Sequence, residues 1–414
     1  MNVLKIATAG SVDDGKSTLI GRLLYDTQSL PTDKLEAIKK SSEKKGYDYL
    51  DLSLATDGLV AEREQGITID VAHIYFSTPD RSYIIADSPG HVEYTRNMIT
   101  GASTSKASII LIDARKGVVE QTFRHFYINH LLQTSHLIIA VNKMDLVDYD
   151  ESAFAKAVQQ FQSLLDKHPS EKRKVHFVPV SALKGDNVVS KSAEMPWYQG
   201  SPILENLSKI DTIAEDSQSF LQVQNVIRPK TEEYHDYRGF AGRIRGAHLS
   251  IGDQITVLPS MKTSTVDGIY FNGAKYDEAP VGSSVSVTLK DEVNVDRGDI
   301  LMTQPPADLE LTKNIQATIC WMDSTPLRPR TKFHLQYGTQ RMTCRVEQIT
   351  SKKSADFHQD IIDVDQLELN DIATIQLKLS KPIPAITYDQ SKELGRFILI
   401  DPQSRNTAAV GFIE

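Results

Sequence analysis

Four short stretches of this 414-residue chain combine residue types and spacings that suit phosphoryl transfer from a nucleotide. The first is Gly10-Ser11-Val12-Asp13-Asp14-Gly15-Lys16-Ser17-Thr18, a G-x-x-x-x-G-K-S loop. Its glycines let the backbone curl into a nest of N–H donors close to phosphate oxygens, and a following helix adds the positive end of its dipole. Lys16 supplies a point charge for the β- and γ-phosphates, and the Ser17 hydroxyl can ligate the Mg²⁺ that bridges them. The second stretch, Gly66-Ile67-Thr68, joins a charged helix end to a strand. Taken alone it is a strand start; beside a phosphate loop, Thr68 can reach the Mg²⁺ and its N–H the γ-phosphate, so the segment orders with triphosphate and relaxes without it. The third is Asp87-Ser88-Pro89-Gly90-His91. Asp87 closes an apolar run and can hold the Mg²⁺ through water, while Gly90 admits a backbone N–H to the γ-phosphate. A lone histidine usually packs in a core or lies on the surface, but His91 follows Asp-x-x-Gly, where an imidazole can orient or polarise the attacking water.

The fourth stretch is Asn142-Lys143-Met144-Asp145, after the apolar run Leu137–Val141. The Asp145 carboxylate can accept from both N1–H and the exocyclic amine of guanine, whereas adenine has an acceptor at N1 and no amine at C2. Leaving a carboxylate unpaired against adenine is costly, so one residue excludes the wrong base. The Lys143 stem can cover the ring face, Asn142 can tie this loop to the phosphate loop, and Ser181-Ala182-Leu183 can present backbone N–H groups to guanine O6. In this order the four stretches indicate GTP and Mg²⁺ as ligands, with hydrolysis as the chemistry.

Such loops need a scaffold that brings strand ends together. Apolar runs at Lys5–Ala9, Ile69–Ser77, Ser82–Ala86, Ala107–Ile112, His136–Val141 and Val175–Pro179 read as strands. The segments between them, including Thr122–Leu132 and Ser152–Asp166, read as helices. This alternation predicts an α/β fold with a doubly wound, mostly parallel sheet whose ligand sits at the carboxyl ends of the strands. A polar insertion, Ser29–Gln65, has a charge-rich helical centre around Asp33–Lys45 that reads as a solvated surface helix.

Length calls for two to four domains. The formal net charge of −8 and the lack of a long basic block argue against nonspecific nucleic-acid binding, though a local basic patch can coexist with an acidic total. Cys320 and Cys344, 24 positions apart with no Cys-x-x-Cys or Cys/His cluster, read as ordinary buried thiols of a reducing compartment. The longest apolar runs are strand-length, and the first strand begins almost at the N-terminus, which predicts no membrane span and no leader. The expected location is the cytoplasm.

Together the four stretches resemble those of the translation-factor class of GTPases, and the likeness continues beyond them. Gly242-Arg243-Ile244 and Gly246–Pro259 look like the β-barrel hairpin of that class's second domain. Beyond Pro305-Pro306 the strand-rich remainder looks like another barrel. The implied organisation is a GTP-binding domain over 1–212, a β-barrel over 213–304 and a second β-barrel over 305–414. Within the class the chain resembles the large GTP-hydrolysing subunits of bacterial sulfate adenylyltransferase, on Gly10–Leu24, Ala61–Asp70, Ile112-Asp113-Ala114-Arg115-Lys116-Gly117-Val118 and Gly185–Val189. The resemblance implies a small adenylyltransferase subunit as partner, forming adenosine 5′-phosphosulfate and pyrophosphate from ATP and sulfate, with GTP hydrolysis coupled to that uphill step. Some relatives carry a fused adenylylsulfate kinase; no second G-x-x-x-x-G-K-S/T occurs in these 414 residues, so that activity is expected to be absent. Ser88 departs mildly from the Thr of many relatives. By analogy with cation-dependent members, Asp13 is a candidate for holding a monovalent ion, against the plainer role of stabilising its loop. A translation-type carrier of aminoacyl-tRNA or a release factor is the rival reading, and it requires a basic surface that the sequence does not display.

Overall fold

A computed structural model describes residues 3–44, 46–47, 49–55, 72–88, 95–211, 218–229, 237–354 and 359–414. The chain divides into two compact units, the first running to residue 212 and the second carrying the remaining sheets.

In the first unit, β1 (Val3–Ala9), β2 (Ala72–Ser77), β3 (Ser82–Asp87), β4 (Ala107–Asp113), β5 (His136–Asn142) and β6 (Lys174–Pro179) form one sheet in the order β2-β3-β1-β4-β5-β6. Strands β3, β1, β4, β5 and β6 are parallel. β2 runs antiparallel to β3 because only residues 78–81 join them, closed by Thr78 N–H donating to Arg81 O at 2.8 Å; a parallel pair needs a much longer crossover. The two kinds of strand also differ in pattern. β4, covered on both faces, is buried at every residue, whereas β2 lies at the sheet edge and leaves Tyr75 exposed. Each described strand reaches within two residues of its sequence-derived bounds; positions 69–71 of the second lie outside the described residues.

β1 is flanked by β3 and β4, so the chain order reverses beside it. That reversal opens the crevice at the carboxyl end of β1 where the phosphate loop begins. The helix Lys16–Asp26 follows the loop and buries Leu19, Ile20, Leu23 and Leu24, an i, i+1, i+4, i+5 stripe facing the sheet. The core beneath it includes Leu4, Ile6, Ile85, Ile109 and Leu111. The insertion contains the helix Thr32–Lys44, which buries only Ile38 and Ser42, in keeping with its charge-rich sequence. Ser42 Oγ donates to Ile38 O at 2.9 Å and accepts from Asp51 N–H at 2.9 Å, fixing the short 3-10 turn Leu52–Ala55 that follows. This turn lies against the phosphate-loop helix.

In the second unit, six strands close on themselves in the order Gln254–Leu258, Ile300–Met302, Ser219–Gln222, Gly239–Gly246, Ser284–Leu289 and Lys262–Phe271. Another six close as Lys332–Tyr337, Arg396–Ile400, Thr407–Ile413, Leu311–Trp321, Ile372–Pro384 and Gln340–Lys353. Both are antiparallel barrels, a form that removes exposed sheet edges. The first barrel buries Leu221, Phe240, Ile244, Val257, Ile269 and Val287. The larger apolar cluster of the second also takes in Phe220, Leu258, Ile300 and Met302. Hydrogen bonds that tie the barrels together include Gln222 Nε2 to Tyr337 O at 3.3 Å and Thr339 Oγ1 to Val223 O at 3.0 Å. Cys320 and Cys344 are both buried. No helix among the described residues is long and apolar enough to cross a membrane.

The closest backbone approach at the phosphate-loop helix is at Gly21, where an added β-carbon would stand 2.0 Å from Leu52 O. Because that neighbour is backbone, relief requires moving the helix or the turn. Gly21→Ala is therefore expected to lower stability by about 1–3 kcal/mol, the usual cost of overpacking, read as a reduced urea midpoint. An unchanged midpoint would mean that helix and turn are not packed this closely.

Candidate nucleotide-binding site

The phosphate loop is built from the inside outward. Gly15 adopts φ +90°, a conformation that favours glycine, and a β-carbon there would lie 2.4 Å from Asn142 Nδ2. Gly15 is also the N-cap of the helix Lys16–Asp26 and brings no side-chain cap, so the first-turn N–H groups of Lys16, Ser17 and Thr18 keep no side-chain acceptor at the cap. Gly10 packs its Cα side against Leu111, where a β-carbon would meet Leu111 Cβ at 3.1 Å. Asp13 is exposed with φ +70°. Asp14 turns inward instead, and its Oδ2 accepts from Ser11 N–H at 2.7 Å. Burial pushes its carboxyl up to about 6, with the Ser11 N–H and the Lys116 charge opposing.

Lys16 is buried and its Nζ lies 3.2 Å from Asp87 Oδ1, while also donating to Ser88 O. Asp87 Oδ1 accepts from Thr8 Oγ1 at 3.0 Å as well. The parallel register of β1 and β3 sets Thr8 directly beside Asp87, so two strand ends and the loop converge on one carboxylate. Both charges are nearly solvent-free, and each depends on the other for compensation. The Ser11 and Ser88 hydroxyls are buried without a hydrogen-bond partner at this same end of the sheet. Backbone donors at a helix N-terminus and a buried lysine suit phosphate oxygens, and the Ser17 hydroxyl and Asp87 carboxylate fit the oxygen-ligand chemistry of Mg²⁺. Thr68, Gly90 and His91 lie outside the described residues.

The loops expected to read the base meet through one amide. Asn142 Nδ2 donates to Asp14 O at 2.7 Å, and Asn142 Oδ1 accepts from Ala182 N–H at 2.9 Å. Asn142 thus joins the phosphate loop to the Ser181-Ala182-Leu183 segment, with both ends of its amide satisfied. Lys143 takes φ +65°, and Asp145 sits in the first turn of the short helix Met144–Val147. Ser181 is fully buried and its Oγ accepts from Lys184 N–H at 3.2 Å. Arg22, which the motifs did not point to, completes the frame. From the phosphate-loop helix its Nε donates to Ala182 O at 3.2 Å, and its other end donates to Leu183 O and pairs with Asp26 at 3.4 Å. Arg22 lies six residues past Lys16 with no spacing rule to mark it. Asp113 was likewise unassigned, although it ends a buried strand as Asp87 does.

Fold and loops together define a P-loop GTP-binding protein of the translation-factor type. The model for the elongation factor Tu GTP binding domain matches residues 1–235, and that for a GTP-eEF1A C-terminal domain-like fold matches residues 314–414. The chain belongs, within that type, to the sulfate adenylyltransferase subunit 1 family. It is 43% identical over 415 residues to "Sulfate adenylyltransferase subunit 1" of Saccharophagus degradans, covering 99% of this chain and 86% of that one. It is 41% identical over 418 residues to "Bifunctional enzyme CysN/CysC" of Mycobacterium tuberculosis, covering 99% of this chain and 67% of that protein. The crystal structure of sup35 complexed with GMPPNP is 20% identical, with a TM-score of 0.44, over 100% of this chain and 93% of that one.

Because Asp14 holds its proton more tightly in the fold than in the unfolded chain, where 3.8 applies, the stability linked to it is full below about 4 and is lost as pH rises through 6. At about 1.4 kcal/mol per tenfold change in proton affinity, the rise from 3.8 to about 6 makes the loss on the order of 3 kcal/mol. Asp14→Asn keeps the acceptor for Ser11 N–H and is expected to flatten the fall in melting temperature between pH 4.5 and 7. A variant as pH-sensitive as the parent would contradict the inward placement of this carboxyl.

Proposed function

We propose that this chain is the GTP-hydrolysing subunit of a cytoplasmic sulfate adenylyltransferase, acting with a separate small subunit that carries out adenylyl transfer. The observation that carries this reading is the identity of 41–43% along nearly the whole chain with sulfate adenylyltransferase subunit 1 proteins, joined to an Asn142 loop tied to the phosphate loop. A translation role is not favoured, since the full-length relatives carry the sulfate adenylyltransferase name. We also take 1–212, 213–304 and 305–414 as three domains, supported by their separate sheets.

In this reading Gly10, Asp13, Asp14, Gly15, Lys16, Ser17 and Thr18 cradle the phosphates of GTP, mostly through backbone N–H groups. Lys16 shifts its charge from Asp87 and Ser88 O toward the β- and γ-phosphates. Ser17, Thr68 and, through water, Asp87 would hold Mg²⁺, which would supply positive charge to offset that of the phosphates. Gly90 N–H binds the γ-phosphate and His91 orients the water that attacks it, giving GDP and inorganic phosphate. Asp145 accepts from guanine N1–H and the 2-amino group, Lys143 covers the ring, and Ser181, Ala182 and Leu183 frame O6. The small subunit joins ATP and sulfate into adenosine 5′-phosphosulfate and pyrophosphate, forming a phosphate–sulfate anhydride that is uphill on its own. Segments around Thr68 and His91 that change with the γ-phosphate can pass the free energy of GTP hydrolysis across the subunit interface.

Co-expression with a small subunit followed by paired assays of GTP turnover and pyrophosphate release tests this. GTP turnover is expected to rise at least tenfold only when the small subunit, ATP and sulfate are all present, and His91→Ala to retain GTP binding while slowing hydrolysis by about 10² or more. Stimulation by ribosomes and aminoacyl-tRNA instead would overturn the assignment.

A further inference from the structure

At the end of β4 lies a carboxylate to which none of the roles above gives a task. The Asp113 side chain has no solvent exposure, yet it gathers two cations. Its Oδ1 accepts from Arg115 Nε at 3.0 Å and from Arg115 N–H at 3.0 Å; its Oδ2 accepts from the Arg115 guanidinium at 2.6 Å and from Lys143 Nζ at 3.0 Å. Burial raises the Asp113 carboxyl, but the Arg115 and Lys143 hydrogen bonds outweigh it and hold the group well below the usual carboxylate range.

Several features hold the carboxylate in place. In the parallel register Asp113 stands beside Asn142, and Ala114 N–H donates to Asn142 O at 2.9 Å. The chain then turns sharply, with Lys116 and Gly117 N–H donating to Asp113 O at 3.0 and 2.9 Å. Gly117, at φ +67°, passes so near Gln160 that a β-carbon would meet its Oε1 at 2.3 Å, and the same oxygen accepts from Val118 N–H at 3.0 Å. The Arg115 side chain, about half exposed, also feels the negative charge of Asp145 beyond that of Asp113.

We propose that Asp113 is a positioning residue that sets base selectivity: by gripping Lys143 and Arg115 together, it fixes the Lys143 stem at the base rim and keeps both cations off Asp145. The inference rests on the guanine reading above. A guanidinium released beside Asp145 has the fork geometry to pair with a carboxylate in two hydrogen bonds. Asp145 so paired has less to gain from guanine N1–H and the 2-amino group, and the base that offers both donors loses the most. A role confined to stapling the turn 113–117 would weaken all nucleotides alike.

The test compares GTP with inosine triphosphate, which lacks the 2-amino group, binding to the full chain by calorimetry. Asp113→Asn, which preserves shape, is expected to weaken GTP binding about tenfold and inosine triphosphate about twofold, contracting the selectivity ratio about fivefold. Adding Arg115→Met to that variant should restore most of the ratio. Asp113→Ser, smaller and uncharged, gives the same comparison if the asparagine variant does not fold. An unchanged ratio in the folded variant, or no recovery in the double variant, overturns the proposal. A parent protein that binds neither nucleotide overturns the guanine reading itself, visible before any substitution.

Discussion

The site depends on the distance at which two loops from different strand ends are held by one short side chain. Asn142 reaches Asp14 O with its amine and Ala182 N–H with its oxygen, and the chain stretches bridged are 128 and 40 residues away. An Asp in its place would meet the Asp14 carbonyl with a second acceptor, and a Gln would push the loops apart by a methylene. Gly15 is part of the same constraint, since the amide occupies the space where any β-carbon would stand. Arg22 repeats the connection from the helix side through Ala182 O and Leu183 O. With both in place, the two loops are set at a fixed separation, so in the proposed mode of nucleotide binding little ordering cost falls on binding.

Charge is distributed to match. On the phosphate side Lys16 rests against Asp87, and on the base side Lys143 and Arg115 rest against Asp113. Each of these cations is compensated by a buried carboxylate 2.6–3.2 Å away through a charge-assisted contact. Asp14 differs, a carboxyl folded into the protein with the Ser11 N–H as its direct partner among the described residues, and the raised proton affinity follows from its burial.

Much of this was legible in the sequence because it is local. Strand runs such as Ala107–Ile112 and the G-x-x-x-x-G-K-S loop are set by neighbours along the chain, and the described strands fall where the apolar runs lie. What escaped was set across the fold. The antiparallel direction of β2 follows from a four-residue connection, which periodicity does not report. The inward turn of Asp14 while Asp13 faces solvent is a choice between adjacent acids that packing makes. The clasp of Lys143 by Asp113 joins residues thirty apart that only the β4–β5 register makes neighbours. A signal did exist there, a carboxylate closing a buried strand, and it was the one already used to single out Asp87.

The central claim is that Asp145 and the loops around it select a purine bearing N1–H and a 2-amino group. Isothermal titration of the purified full chain with GTP and with ATP, each with Mg²⁺, addresses it most directly. The account predicts saturable GTP binding and ATP affinity at least about a hundredfold weaker, as expected when a site built for two donors meets a base lacking them. ATP binding as tightly as GTP would contradict it.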